Sequence, residues 1–469
     1  MMPGVMNQVN RQSSLVSLHK FHSWALQFLA LGAILCLSQP AHAQSQPAAV
    51  GTVTQPSEAP PTISLGQSFD YWMNQATMTG DWGGLRTELS QAGFNFRASY
   101  IGELAYSFAG GKRNGGTYAD QFAFGVDVDM GKVAGLTGGI FHLSLNSRQG
   151  RNTTTDFIGN KIDVQEIYGD GNNFRLAEMS YQQALFNHVL DLKAGFVVMG
   201  DDFGRTGILC DFENDAFCAH PVSLPTNSGW SDYPAGKWGA RVRVNLPDDI
   251  YVETGVFDVN PTYSAHNNGF KLSLADSTGV LVPLEFSKTV NIGPAAMVGH
   301  YKIGGYYDTS GAPDVTNSSI NYKGRFGGYI LADQMVWSFE PGTDRGLILV
   351  ANATISDKRT SQIPTYFTAA VVAQGPFAAR PHDYIALGYV RDVVNGKEIA
   401  KQNALLEAQG VLDPGLELGE NIVELAYGLQ VSPWFSIHPN IQYIGNPGAF
   451  TFTHVAAAWV FGTHVGVTF

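Results

Sequence analysis

The chain has 469 residues, 53 of them Gly, and 14% are charged, where an average globular protein carries about 25%. A formal charge of −12 argues against a nucleic-acid partner, whose phosphates need clustered Lys and Arg, and 12% aromatic residues exclude a disordered chain. Mean hydropathy is −0.04 and the longest apolar run, Trp24 to Leu37, sits near the N-terminus, so this is no bundle of membrane helices.

Residues 1–43 hold Arg11 and Lys20 but no acidic residue, then WALQFLALGAILCL, then Ala41-His42-Ala43. This order predicts a secretory signal peptide cleaved before Gln44. The competing reading is a buried helix or membrane anchor, but the apolar stretch is interrupted by Gln27 and is short for a ~30 Å hydrocarbon core. Cys36 follows Leu35, where lipoprotein processing requires a small residue, and so belongs to the discarded signal. Losing two basic and no acidic residues takes the formal charge to −14.

Residues 44–68 begin QSQPAAVGTVTQPSEAPP and read as a flexible Pro, Ala and Thr rich leader. Residues 69–93 read as a short helical segment, with Leu85 and Leu89 four apart, Glu88 between them and Gly93 as the stop.

From Phe94 to Phe469 the period changes to two. Phe94, Phe96, Ala98 and Tyr100 alternate with Asn95, Arg97 and Ser99, while Phe141, Leu143 and Leu145 alternate with His142, Ser144, Asn146 and Arg148. Val423, Leu425, Tyr427, Leu429 and Val431 oppose Glu424 and Gln430. Phe435, Ile437, Ile441 and Tyr443 oppose Ser436, His438, Asn440 and Gln442. The final stretch sets Val455, Ala457, Trp459, Phe461, Val465 and Val467 against His454, Gly462, His464, Gly466 and Thr468. About 15 or 16 such segments are separated by Gly, Pro, Asn or Asp turns. A soluble β-sandwich alternates in the same way. Export and segments of roughly ten residues or more favour a transmembrane antiparallel β-barrel of about 16 strands, an all-β fold closed so that no strand edge meets lipid. Aromatic Phe469 suits an interfacial girdle.

The stretch TGDWGGLRTELSQAGFNF (79–96) resembles the N-terminal signature of the OprB-type carbohydrate-selective porins of Gram-negative outer membranes. Four further stretches carry the resemblance in order. They are 175–221, 228–244 (SGWSDYPAGKWGARVRV), 327–337 with 344–357, and 420–448. The resemblance implies a 16-stranded outer-membrane barrel with a periplasmic N-terminal segment and extracellular loops folded inward. It also implies passive uptake of sugars such as glucose, or of another polyol or small hydroxylated acid. The implied partners are carbohydrate solutes and outer-membrane lipid, with no nucleic acid, cofactor or metal, and the assembly stays open between a monomer and a homotrimer.

A sugar-selective constriction needs several hydrogen-bonding groups and no deep trap. Arg97, Arg148, Arg151, Glu178, Asp201, Asp202 and Arg205 are the candidates for such an eyelet. Arg97 and Arg148 share the polar parity of their segments, and Glu178 opposes Ala177, Met179 and Tyr181. The plainer reading is that any wide water-filled barrel is lined with charges, and Asp201 and Asp202 serve equally well as loop residues. Trp230, Trp238 and Tyr233 fit an aromatic belt or loop packing better than stacking on sugars. In an oxidising compartment Cys210 and Cys218 favour a local disulfide stiffening a loop. Two free thiols or a metal site, for which His220 lacks a second partner, are the alternatives. Asp81, Trp82 and Arg86 are expected to brace or plug the mouth before the first strand.

A barrel hydrolase would need a nucleophile beside a base. No G-x-S-x-G, H-E-x-x-H or Gly-rich phosphate loop occurs, and His142, His438, His454 and His464 fall on separate segments. A β-rich periplasmic binding protein would place polar residues where these segments carry Trp, Phe and Val.

Overall fold

The computed structural model describes residues 65–168, 171–411 and 415–469. The expected signal peptide, 1–43, and all of the 44–68 leader up to residue 64 lie outside the described residues. Sixteen strands follow two N-terminal helices, Leu65–Met73 and Leu85–Gln91, the first beginning inside the range expected to be leader. The strands are β1 Phe94–Gly111, β2 Gly115–Asp129, β3 Gly139–Gly150, β4 Asn173–Leu185, β5 Leu190–Val197, β6 Lys237–Leu246, β7 Ile250–Val259 and β8 Gly279–Ile292. They continue as β9 Met297–Pro313, β10 Asn321–Ser338, β11 Gly346–Ser356, β12 Thr365–Gln374, β13 Tyr384–Val393, β14 Asn421–Ser432, β15 Phe435–Gly445 and β16 Ala456–Thr468.

Each strand pairs antiparallel with its sequence neighbour, and β1 pairs with β16, from Ser99 opposite Thr468 to Gly111 opposite Ala456, so the sheet closes on itself. Closure leaves every ladder partnered, the condition that hydrocarbon imposes on a spanning backbone. One rim is joined by short turns such as 186–189, 247–249 and 433–434. The other carries the long segments 151–172, 198–236, 260–278 and 394–420.

The residue distribution is inverted relative to a soluble protein. Leu104, Phe122, Leu284, Ile330, Leu387, Leu425, Trp459 and Phe461 are exposed outward, while Glu103, Asn146, Asn352, Glu424, Gln442 and His464 are buried inward. Alternation therefore assigns the lipid face correctly. His454, expected on the polar face of the last strand, instead lies in the 446–455 loop, because β16 begins at Ala456.

The helical segment braces the short-turn rim. Arg86 donates from Nη2 to the carbonyls of Phe96 and Phe469, both at 3.0 Å. Asp81 Oδ1 accepts from Thr87 N at 2.9 Å, and the Trp72 ring packs on Trp434, in the β14–β15 turn, at 4.5 Å between centroids. The Phe469 ring meets Phe122 at 5.8 Å.

Candidate functional site

Two long segments fold into the barrel. Residues 151–172 cross to the β1, β2 and β15 wall, where Thr153 Oγ1 donates to Ala105 O at 3.0 Å, Gln165 Nε2 donates to Glu103 O at 2.9 Å, and Val164 O accepts from Gln442 Nε2 at 3.1 Å. Residues 198–236 run along the opposite wall. There Gly204 N donates to Glu285 at 2.7 Å, Ser223 Oγ lies 2.7 Å from Thr354 Oγ1, and Gly229 N donates to Asp308 at 2.7 Å. The two segments meet through Glu166 N to Glu213 O at 2.9 Å and Asp215 N to Asp163 O at 3.0 Å.

The tip of the second segment is a disulfide-closed knob. Cys210 and Cys218 are bonded, and between them Phe212 and Phe217 stack at 4.3 Å. Backbone N–H groups of Glu213 and Asn214 both donate to Glu424 at 2.9 Å, and Tyr384 Oη donates to Asp211 O at 2.7 Å. Gly388 is required beneath it, since a Cβ there would stand 2.4 Å from the Phe217 ring. Around the knob, inward Val350, Val372, Ala386, Val390, Ile422, Ile444 and Val460 join Ile158, Val164 and Leu209 in one buried apolar cluster. The inner face of β11–β16 is thus partly apolar, where alternation leads one to expect polarity, because folded loops rather than water cover it.

The β3–β7 side keeps its charges. Lys193 Nζ lies 2.9 Å from Glu178 Oε1 and 3.6 Å from Asp202 Oδ2. Arg241 reaches Asp191 at 2.5 Å, Asp202 at 3.4 Å and Glu253 at 3.5 Å, and Arg243 pairs with Glu253 at 2.7 Å. Towards the short-turn rim Asp127 holds Arg97 at 3.0 Å and His142 at 2.7 Å. Arg148 donates to Gln121 at 2.8 Å and lies 5.8 Å from the centre of the Tyr233 ring, whose hydroxyl accepts from Asn146 at 3.1 Å. Asp201 pairs with Arg205 at 3.3 Å. Partial desolvation inside the lumen raises Asp201 to about 6, against the lowering effect of Arg205 and Lys193.

The profile of the carbohydrate-selective porin, OprB family, matches residues 113–469. The chain belongs to that family. It is similar to Porin B of Pseudomonas aeruginosa, 36% identical over 400 residues that cover 80% of this chain and 88% of that protein. It is also similar to the high-pH structure of Pseudomonas putida OprB, with a TM-score of 0.78 at 34% identity over 84% of this chain and 99% of that one. This OprB-family chain is an outer-membrane porin for sugars, a channel embedded in the Gram-negative outer membrane.

Of the residues singled out from the porin sequence, the structure brings Glu178 and Asp202 together through Lys193, with Arg241 on the far side of Asp202, and places the Asp201–Arg205 pair beside Asp202. Side-chain exposure separates their roles: Arg97 at 51%, Arg205 at 44% and Asp201 at 39% are open to solvent, while Arg241 at 3% is a buried organiser. Arg151 is not brought to this group. It is exposed and pairs with Asp156 of its own segment at 2.7 Å. Trp230 is buried in loop packing against Tyr306 and Tyr329, Trp238 donates to Leu272 O at 2.8 Å, and Tyr233 faces Arg148. Lys193, Arg241 and Glu253 were not among the candidates. The run Arg241-Val242-Arg243-Val244 carries the same parity signal that singles out Arg97 and Arg148.

Proposed function

We propose that glucose-like monosaccharides or related polyols cross this porin by passive diffusion along its β3–β7 side, into the periplasm. The supporting observation is that the inward segments cover the β8–β16 side and the long-loop ends of β5 and β7, while exposed Arg97 of β1, Asp201 and Arg205 line what remains, backed by Arg148, Glu178 and Asp202. Forked Arg donors and carboxylate acceptors exchange for a sugar's water shell, and the ion pairs among them keep either charge from trapping a solute. Arg151, further out on the long-loop rim, acts in this proposal only on approach. No covalent step and no cofactor enter it, and it works within one barrel whether barrels stand singly or as trimers. Export by a cleaved signal at residues 1–43, ahead of the 44–68 leader, belongs to the same reading.

Reconstituted proteoliposomes test it. Swelling is expected to be faster in glucose than in a disaccharide of equal osmolality. Arg148→Ala and Glu178→Ala are each expected to slow glucose about two- to five-fold, the share of a water-screened hydrogen bond of about 0.5–1 kcal/mol. Unchanged flux in both variants removes these residues from the lining. Faster passage of a small hydroxylated acid than of any sugar would shift the preferred solute, and ester or glycoside hydrolysis by the purified barrel would overturn the purely passive mechanism.

A further inference from the structure

Away from the charged cleft, the lumen holds a second cluster whose charges do not balance. Glu103 on β1, Glu166 on the 151–172 segment and His464 on β16 each place one donor atom within 4.8 Å of the other two. Glu103 and His464 are direct cross-strand partners, with Oε1 and Nδ1 3.1 Å apart. Glu213 joins them from the 198–236 segment. Its Oε2 accepts from Asn440 Nδ2 at 2.5 Å, beside the place where a Cβ on Gly462 would stand. Gly462 precedes His464 by two residues and shares its face of β16, so this carboxylate lies next to the Glu103–His464 pair. Glu213 is 1% exposed, its Oε1 has no hydrogen-bond partner, and the charges that bear on it most are those of Glu103, Glu424 and Glu166.

Among the described residues, no Lys or Arg lies within ion-pair distance of Glu103, Glu166 or Glu213, and Arg148, which donates to Gln121, acts on Glu103 and Glu166 only from longer range. Buried carboxylates facing one another with no cation in direct contact are strongly unfavourable as anions, and either protons or a bound cation relieves them. An imidazole nitrogen among carboxylate oxygens is a donor set that zinc takes, whereas calcium and magnesium prefer oxygen alone. Tetrahedral ligands at about 2.1 Å stand about 3.4 Å apart, a spacing that small side-chain rotations reach from the one observed.

We propose that Glu103, Glu166 and His464 bind one divalent cation of the zinc type, beside the Glu213 carboxylate with its unpartnered Oε1, and that the ion ties the 151–172 segment to the β1–β16 wall. The 151–172 segment supplies one ligand and the wall supplies two, and because Glu166 N donates to Glu213 O at 2.9 Å the ion's hold extends to the 198–236 segment as well.

Full-length porin, extracted folded from outer membranes in detergent, is stripped with EDTA, loaded with ZnCl2 and passed through gel filtration before its metal content is measured. One zinc per chain is expected. In a calorimetric titration Glu166→Gln and His464→Gln should each weaken binding at least ten-fold, since even the loss of a partner behind a ligand costs that much, while Asp276→Asn, on the exposed 260–278 segment, should leave it unchanged. Resistance of each unheated variant to SDS reports an intact barrel. Glu166 lies outside the strands, so its variant decides the matter even where His464→Gln fails to fold. Less than one zinc per ten folded wild-type chains, or equal binding by wild type and Glu166→Gln, overturns the proposal.

Discussion

The β11–β16 and β3–β7 sides of the lumen are built from the same alternating strands and end up in opposite physical states. On the first, inward Val372, Val390, Ile422 and Val460 are buried under the Phe212–Phe217 knob. On the second, the equivalent positions are Glu178, Lys193, Arg241 and Glu253, joined into one ion-pair network through Asp202 of the inward segment. Alternation with a lipid-facing apolar row is what the membrane demands of every strand. What distinguishes channel wall from plug is the other row: apolar positions such as Val372, with carboxylates such as Glu424 that accept from loop N–H groups, seat a loop, while ion-paired charges leave groups such as Arg205 at the water. The bore of a barrel this wide is therefore set by how much of its inside is filled.

The comparison breaks most severely if the knob is unseated. Phe212→Ala with Phe217→Ala removes the stacked pair over Gly388, and each truncation in a packed site costs about 3–5 kcal/mol. That loss falls on loop docking, because the strands keep their ladders. Swelling in a disaccharide is expected to rise several-fold towards that in glucose while the unheated barrel keeps its resistance to SDS. An unaltered ratio of the two rates would mean that the filled side contributes nothing to size selection.

A smaller effect should follow from Cys210→Ser with Cys218→Ser. The bond closes a short loop, for which chain-entropy arguments give about 2–3 kcal/mol, but the knob keeps its aromatic stack and the Glu424, Tyr366 and Tyr384 hydrogen bonds. Most channels stay closed down to monosaccharide size at room temperature, and the disaccharide leak appears on warming. A leak that is the same at all temperatures in wild type and variant would place the stiffness elsewhere.

The two sides were also unequally legible in the sequence. The lipid face followed from period two, since Leu425 out and Glu424 in is a local statement, and the closed barrel from period two taken together with the expected export and the length of the segments. Arg97 and Glu178 could be picked because each is a charge standing between apolar neighbours, and Arg148 because it shares the parity of His142, Ser144 and Asn146. The filled side could not be picked this way. Ile422, Ala426 and Val390 read as ordinary strand residues, and their burial depends on a loop some 170 to 210 residues away in sequence. The same distance hid the Glu103–Glu166–His464 grouping, whose members come from the first strand, a loop and the last strand. His464 looked like one polar residue in a scattered set because nothing in its own segment shows that β16 closes on β1.

The mildest test acts on the open side alone. Asp201 is held up at about 6 and sits 3.3 Å from Arg205 at a solvent-exposed position. Above that value the pair is neutral overall. Below it the carboxyl takes up a proton, Arg205 is left unbalanced, and the lining gains a positive charge as pH falls from 7 to 5. A unit charge ~8 Å from a permeant ion in water contributes about 0.5 kcal/mol, a factor of about two in permeability. Reversal potentials across a KCl gradient should therefore shift towards anion preference by that factor over this range. Asp201→Asn should show the low-pH selectivity at every pH, with sugar swelling nearly unaffected because Arg205 still donates. If the variant and the wild type titrate alike, the charge that matters to ions lies elsewhere in the network, and Asp202 with Lys193 becomes the pair to change next.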